Sequence, residues 1–92
     1  MQTNIYSVYD SKAACFMPPF FLHNDSLAQR AMLGALMEES HQFYKHAEDF
    51  TLYKLGVFDD GVGVIESEIS PQAICNLSML KVAMNTEEVQ EA

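Results

Sequence analysis

The sequence is short of positive charge, and this shortage limits the partners that the protein can bind. Only five of its 92 residues are Lys or Arg, against thirteen Asp or Glu, so the formal net charge is −8. A polyanion such as DNA is repelled by such a chain unless its few cations converge on one surface. The charge balance therefore excludes strong nonspecific binding of nucleic acid through phosphate contacts.

Cysteines are also few, and long apolar runs are absent. Cys15 and Cys75 each lie in an apolar segment, where a free thiol packs as a small hydrophobe, so we favour free thiols over a disulfide. No stretch reaches the roughly 20 apolar residues of a membrane span, and the N-terminus lacks the basic and apolar regions of a secretory signal. These absences predict a protein of a reducing cytoplasm with no membrane partner.

What the chain does contain is enough apolar sequence for one folded domain. Hydrophobic residues make up 49% and charged residues 20% of the chain, which is typical of a globular protein. We expect a single domain over residues 3–84 and an acidic, flexible tail over residues 85–92. Because a domain of this size buries only a modest fraction of its surface, a homodimer is expected.

The clearest local pattern is a β-hairpin over residues 49–65. Aromatic and β-branched residues form two strands around Asp60-Gly61, a pair that favours a two-residue turn. This turn would place Asp59 opposite Val62. It would also place Gly56 opposite Ile65 and Phe58 opposite Gly63, so that the glycines permit close packing.

The remaining segments predict a second hairpin and two helices. Residues 5–9 and 14–17 form the first hairpin, which is limited by Pro18-Pro19. Asn24 or Asp25 caps a main helix over residues 25–40, and Ser70-Pro71 starts a shorter C-terminal helix over residues 71–84. The fold class is therefore α+β, with a small antiparallel sheet of about four strands from two hairpins.

The main helix has an apolar face and two apolar residues outside it. Leu27, Ala28, Ala31, Met32, Ala35 and Leu36 share the face that would cover the sheet. Leu33 and Met37 lie one turn apart on the outer side, and Tyr44 joins them if the helix continues that far. They are either scattered exposed residues or a contact for a dimer or partner, and both interpretations remain open.

No catalytic arrangement is evident. His41, His46 and Asp49 suggest a weak metal site, but the histidines are five residues apart, so a solvated polar connection is favoured and no metal or other cofactor is expected. The serines occur without a nucleophile motif, and Asp59 and Asp60 are better explained as turn residues. We expect a protein that is not an enzyme.

Several segments together resemble one viral family, the small nonstructural proteins of gokushoviruses. The matching segments are residues 5–13 (IYSVYDSKA), 18–25 (PPFFLHND) and 46–60 (HAEDFTLYKLGVFDD), with Ala28, Arg30-Ala31 and Gly63 between or after them. Gokushoviruses are microviruses, tailless phages with circular single-stranded DNA. The resemblance spans about residues 4–80 and is most specific over residues 48–60.

The resemblance implies a phage protein of the host bacterial cytoplasm that is absent from the capsid. It implies a regulatory role in viral single-stranded DNA synthesis or packaging, exerted on DNA or through a replication or packaging protein. The candidate DNA contacts are Tyr6, Lys12, Arg30, Tyr53 and Lys54, and a dimer would be needed to group the cations. Two alternatives remain. One is an acidic protein-interaction module, conceivably a DNA mimic, and the other is a metal-dependent enzyme centred on His41, His46 and Asp49.

Overall fold

The structure, a computed structural model, describes the backbone of residues 1–91 and the side chains of residues 1–84. Five strands form one antiparallel sheet and three helices accompany it, which confirms the predicted α+β fold class. The strands are β1 (Gln2–Asp10), β2 (Cys15–Phe16), β3 (Phe20–Leu22), β4 (Phe50–Asp59) and β5 (Val64–Asn76). The helices are α1 (Asp25–Leu36), α2 (Gln42–Lys45) and α3 (Leu77–Glu91), with a 3₁₀ turn at Ala47–Asp49.

Strand β1 is central to the sheet. It pairs with β2 and β3 along one edge and with β4 along the other, and β5 lies outside β4. The first predicted hairpin joins β1 to β2, with Tyr9 opposite Phe16. Pro18 and Pro19 separate β2 from β3, as expected for residues that cannot donate to a ladder. The second predicted hairpin joins β4 to β5, so both hairpins are confirmed.

The turn of the second hairpin is two residues longer than the predicted turn at residues 60–61. Asp59 pairs with Val64 rather than Val62, and the Gly63 N–H donates to the Asp59 carbonyl oxygen at 2.9 Å. Gly63 has a φ of +70°, a left-handed conformation that glycine adopts most easily. The predicted register was wrong because this second glycine closes a longer loop. A shift of two residues keeps each side chain on its expected face.

Gly56 is a point of close approach between β4 and β5. A Cβ atom built there would lie 2.3 Å from a backbone carbonyl oxygen of β5, so no side chain fits. Close packing was predicted here, but with Ile65 opposite Gly56 and Gly63 opposite Phe58. The observed register places Ser67 opposite Gly56 and Ile65 opposite Phe58.

The C-terminal helix begins at Leu77, six residues after the predicted start at residue 71. The predicted start signal at residues 70–71 instead lies within β5, where residues 68–71 form an irregularity opposite one residue of β4. A proline is tolerated there because β5 is an edge strand. The helix start is set by Asn76, whose Oδ1 accepts a hydrogen bond from the Ser78 N–H at 3.0 Å.

Helix α1 starts as predicted and ends early. Asn24 is its N-cap, because its Oδ1 accepts a hydrogen bond from the Leu27 N–H at 2.9 Å. The helix ends at Leu36, before the predicted end at residue 40. Of its predicted inner residues, Ala31 is exposed. Leu33, predicted to lie on the outer side, packs partly buried against the core. The helix is therefore rotated relative to the predicted face.

The core lies between the helices and one face of the sheet. Tyr6 and Val8 of β1 meet Phe50 and Leu52 of β4, because alternate residues of a strand point to the same side. The buried core residues are Tyr6, Val8, Ala28, Met32, Leu36, Phe43, Ala47, Phe50, Leu52 and Leu77.

The acidic segment at residues 85–92, predicted to be a flexible tail, lies outside the described side chains. Among the helices that the structure describes, none has both the length and the hydropathy that a bilayer crossing requires.

Candidate nucleic-acid interface

The face of the sheet opposite the helices, here called the open face, carries most of the aromatic residues that the core does not use. Leu52 is fully buried in the core, so its neighbour Tyr53 points to the opposite face. Tyr53 pairs with Ser7, which extends this face to β1. By the same alternation and pairing, the open face consists of Thr3, Ile5, Ser7, Tyr9, Phe16, Phe21, Thr51, Tyr53, Gly56, Phe58, Ile65, Ser67, Ala73 and Asn76.

Three rings at one end of the open face form the proximal cluster, defined as Tyr9, Phe16 and Tyr53. The ring centroids of Tyr9 and Phe16 are 4.8 Å apart. The Phe16 ring lies 5.3 Å from that of Tyr53, and the two tyrosine rings are 6.3 Å apart. Phe16 is 40% exposed, and the tyrosines are half-buried. The cluster is thus a set of mutually supported rings that remain accessible to a ligand.

The other end of the open face is more strictly apolar. We define the distal patch as Ile5, Phe21, Phe58 and Ile65. The Phe21 and Phe58 rings meet edge to face with centroids 5.9 Å apart, while Ile5 pairs with Phe21 and Ile65 with Phe58. Ile5 is buried, but Phe21 is 48% and Ile65 60% exposed. Unlike the proximal cluster, this patch has no hydroxyl group.

No charged residue belongs to the open face as the described strands define it, so the predicted cations do not converge there. Lys54 lies on the helix side, where its Nζ is 3.7 Å from Glu68 Oε1. Arg30 is exposed on α1, in the helical layer across the sheet from Tyr53. Lys12 alone borders the open face, in the turn between Tyr9 and Phe16.

The turn that carries Lys12 is held by hydrogen bonds. Asp10 Oδ1 accepts from the Lys12 N–H at 3.0 Å and from the Ala13 N–H at 3.2 Å. The Asp49 carbonyl oxygen accepts from both the Ser11 N–H, at 2.9 Å, and the Ser11 hydroxyl, at 3.0 Å. The Lys12 side chain is exposed, so this cation is presented from an ordered turn beside the proximal cluster.

Tyr6 was predicted as a DNA contact, and the structure corrects this prediction. Its side chain is fully buried on the helix side. The hydroxyl donates to Asp25 Oδ1 at 2.7 Å and accepts from Asn4 Nδ2 at 2.9 Å. Burial, followed by the hydrogen bond to Asp25, raises the pKa of Tyr6 to about 12. Tyr6 therefore joins β1 to α1 and offers no surface to a nucleic acid.

The three residues predicted as an interface do not form one patch. Leu33 packs against the core. Tyr44 is half-buried beneath Lys81, whose Nζ lies 4.0 Å from the ring centroid and donates to the Tyr44 carbonyl oxygen at 2.8 Å. Met37 is 76% exposed at the C-cap of α1. The earlier end of α1 removes the helical alignment that would have joined these residues.

His41 and His46 have different roles in the structure. His41 caps α2, because its Nδ1 accepts from the Phe43 N–H at 3.0 Å. His46, Glu48 and Asp49 bring their possible ligand atoms within 4.8 Å of one another. His46 and Glu48 are exposed, and carboxylates commonly cluster at surfaces without an ion. The predicted grouping of His41 with His46 does not occur.

Cys15 and Cys75 are both free thiols, as expected. They lie on β2 and β5, at opposite edges of the sheet. Cys15 is exposed, whereas burial raises the pKa of the Cys75 thiol above its ordinary value. Strand order therefore rules out a disulfide within the chain.

Sequence reasoning selected Tyr53 but not its neighbours Tyr9 and Phe16. The signal was present in the alternation of β1, which places Ser7 and Tyr9 together and opposite to Tyr6 and Val8. The hairpin register then adds Phe16 beside Tyr9. The alternation alone does not show which face of the sheet the helices cover.

The comparison with protein families agrees with a viral origin. The family described as "Phage ORF5 protein" matches residues 3–80, which include all of the five strands except the first residue of β1, Gln2. No curated protein and no solved structure matches the chain significantly. Because the match covers most of the sequence, the chain belongs to the Phage ORF5 protein family.

Proposed function

We propose that this chain is a noncatalytic nonstructural protein of a gokushovirus, and that it acts in the host bacterial cytoplasm on viral single-stranded DNA during genome synthesis or packaging. Membership of a phage family supports the viral setting. The closer assignment to gokushoviruses rests on the resemblance over residues 48–60. The DNA contact is the proximal cluster, with Lys12 as its neighbouring cation.

The observation that carries this proposal is the accessible cluster of Tyr9, Phe16 and Tyr53 on the open face, whose rings meet tilted or edge to face. Bases of single-stranded nucleic acid stack on aromatic side chains, and each such contact contributes about 1–3 kcal/mol whatever the base. Stacking needs unpaired bases, so the site favours single strands over duplex DNA.

Charge sets the strength and the salt dependence of the contact. The chain carries a net charge of −8, but the acidic side chains among residues 1–84 lie off the open face, and Lys12 is the one cation that borders the proximal cluster. For single-stranded nucleic acid, the logarithm of the binding constant falls as the logarithm of the salt concentration rises. The slope is about −0.7 for each phosphate that the protein neutralises. One cation for each protomer therefore gives weak binding with a shallow slope.

The experiment is a fluorescence anisotropy titration of a labelled oligonucleotide at low and moderate salt. Phe16→Ala removes an exposed ring and should weaken binding about tenfold, the effect of one lost stacking contact. Met79→Ala removes an exposed apolar side chain of α3, away from the sheet, and should leave affinity unchanged. Wild-type protein that binds nothing at low salt, or binds equally after Phe16→Ala, would exclude this site.

The second candidate is an acidic protein-interaction module, favoured by the net charge and by the exposure of Met37 beside Glu38 and Glu39. An apolar side chain flanked by carboxylates suits a basic partner such as a replication or packaging protein. The residue to test is Met37, because Leu33 supports the core. Met37→Asp should reduce capture of that partner in infected lysate, while Phe16→Ala should not.

A further inference from the structure

We propose that a cavity beside the turn of the second hairpin binds an Arg or Lys side chain of a partner protein. The cavity has a volume of about 160 Å³. Its lining comes from β1, β4, β5 and the turn between the last two strands, and consists of Gln2, Val57, Asp59, Val62, Val64 and Glu66. It lies on the other side and at the other end of the sheet from the proximal cluster, so it is independent of the proposed DNA contact.

The size and opening of the cavity select a single side chain as the occupant. Sites for cofactors and other drug-sized molecules measure about 300–1,000 Å³, so this cavity is too small for them. Val62, Val64 and Glu66 are exposed, so the cavity opens to solvent along the turn and β5. β5 is also an edge strand of the described sheet. A side chain therefore enters while the backbone that carries it stays outside.

Three valines give the cavity an apolar wall that suits the aliphatic part of a long cationic side chain. Val57 is half-buried, whereas Val62 and Val64 are 71% and 46% exposed. Arg and Lys lay their methylene groups along apolar surface and keep the charged group among polar groups or water. The stem of such a side chain would remove part of this exposed valine surface from water.

Two carboxylates in the lining determine the sign of the charge that the occupant carries. Asp59 lies opposite Val64, and Glu66 lies opposite Val57. The two acidic residues are therefore diagonal neighbours on one face of the hairpin, at a separation of roughly 7–8 Å. A guanidinium group has five N–H donors in a planar fork, so one Arg is able to contact both carboxylates.

These carboxylates are not engaged by the cations of the described residues. The ion pairs among the described side chains join the Met1 ammonium group to Asp60 at 2.7 Å and Lys54 to Glu68 at 3.7 Å. Asp59 uses one oxygen, Oδ1, to accept a hydrogen bond within the turn at 2.9 Å. The net charge of −8 attracts a basic partner and repels an acidic one. Local and overall charge thus favour the same occupant.

The test is an NMR titration of the isotope-labelled full chain with n-butylguanidinium and, separately, with n-butylurea, a neutral molecule of the same shape. The cation should shift the signals of Val57, Val64 and Glu66 until they saturate, and n-butylurea should bind at least fivefold more weakly. A peptide with blocked ends, Gly-Gly-Arg-Gly-Gly, should shift the same signals, because the backbone of the peptide stays outside the cavity.

Variants that remove charge without changing shape locate the contact. Glu66→Gln should weaken binding of n-butylguanidinium about threefold to fivefold, the effect of one exposed ion pair. Adding Asp59→Asn, which keeps the Oδ1 acceptor of the turn, should abolish the preference for the cation over n-butylurea. The matched control is Glu38→Gln, which removes an exposed carboxylate after α1 and should leave the affinity unchanged.

Several results would overturn the proposal. Equal affinity for n-butylguanidinium and n-butylurea excludes recognition of charge, and an equal loss in Glu38→Gln and Glu66→Gln shows general attraction to an acidic chain. A cavity that takes n-butylguanidinium but not the peptide is a site for a free small molecule. Phe16→Ala, which tests the DNA contact, should leave this titration unchanged, so failure of one proposal is distinguishable from failure of the other.

Discussion

The phenol hydroxyl of Tyr6 donates to Asp25 Oδ1 across 2.7 Å, and this bond joins the middle of β1 to the first residue of α1. Tyr6 is fully buried, whereas Asp25 is exposed. The contact fixes the start of the helix over the sheet. It lies on the face of β1 that the helices cover, together with the buried side chain of Val8.

Replacement of Tyr6 by Phe should lower stability modestly and alter the alkaline pH dependence. Loss of the hydrogen bond should cost about 1 kcal/mol at neutral pH, since Asp25 remains solvated. The folded pKa of Tyr6 is raised to about 12, above the ordinary value of about 10. Between these values the folded chain binds more protons than the unfolded chain, so the stability contribution of Tyr6 is complete below pH ~10 and is lost as pH rises through ~12.

Urea unfolding at about pH 9 and about pH 11 measures this effect. Wild-type protein should lose more stability between the two values than Tyr6→Phe does. Tyr53→Phe keeps Tyr6 intact and should retain the wild-type difference. An equal loss of stability between the two pH values in wild type and in Tyr6→Phe would contradict the raised pKa of Tyr6 and the role of burial in raising it.

Two glycines should respond in opposite directions to alanine. Gly56→Ala places a Cβ atom 2.3 Å from a backbone carbonyl oxygen that cannot move without breaking the β4–β5 pairing. We expect a loss of about 3 kcal/mol in the free energy of unfolding. Gly34 lies within α1 with open space at the Cβ position, so Gly34→Ala should stabilise by about 0.5–1 kcal/mol. Denaturant unfolding of both variants checks the pair, and a tolerated Gly56→Ala would refute the observed register.

Asn76 should contribute more to stability than an ordinary helix cap. Its Oδ1 accepts from the Ser78 N–H at 3.0 Å and its Nδ2 donates to the Glu48 carbonyl oxygen and to Thr51 Oγ1, each at 3.1 Å. Asn76→Ala removes the cap and two bonds to neighbouring elements, so we expect a loss of about 2 kcal/mol. Asn24→Ala, which removes only the cap of α1, should cost about 1 kcal/mol. Thermal unfolding should rank the variants in this order, and the reverse order would contradict the linking role of Asn76.

Both hairpins and the α1 start could be predicted because their signals are local. An Asn cap and a glycine-containing turn are properties of a few consecutive residues. The predicted start of the C-terminal helix and the predicted length of the second turn were wrong, because in each case two local signals competed. Residues 70–71 and Asn76 can each start a helix, and pairing of β5 with β4 decided between them. Residues 60–61 could have closed the hairpin, but Gly63 allowed a longer turn.

The face of the sheet that forms the core could not be predicted from β1 alone. Tyr6 and Val8 are apolar on one side, and Ile5 and Tyr9 are equally apolar on the other. Alternation identifies two faces but does not rank them when both are apolar. The position of α1 settles the choice, and that position depends on contacts between residues far apart in the chain. Tyr6 was therefore assigned to the surface, and the proximal cluster was only partly recognised.

The central claim is that the proximal cluster binds single-stranded DNA, and a heteronuclear NMR titration tests it most directly. Addition of a short unlabelled single-stranded oligonucleotide to labelled protein should shift the signals of Tyr9, Lys12, Phe16 and Tyr53 together. Signals from the exposed side of α3, such as Met79, should stay in place. Shifts confined to the helical layer, or none at low salt, would contradict the account.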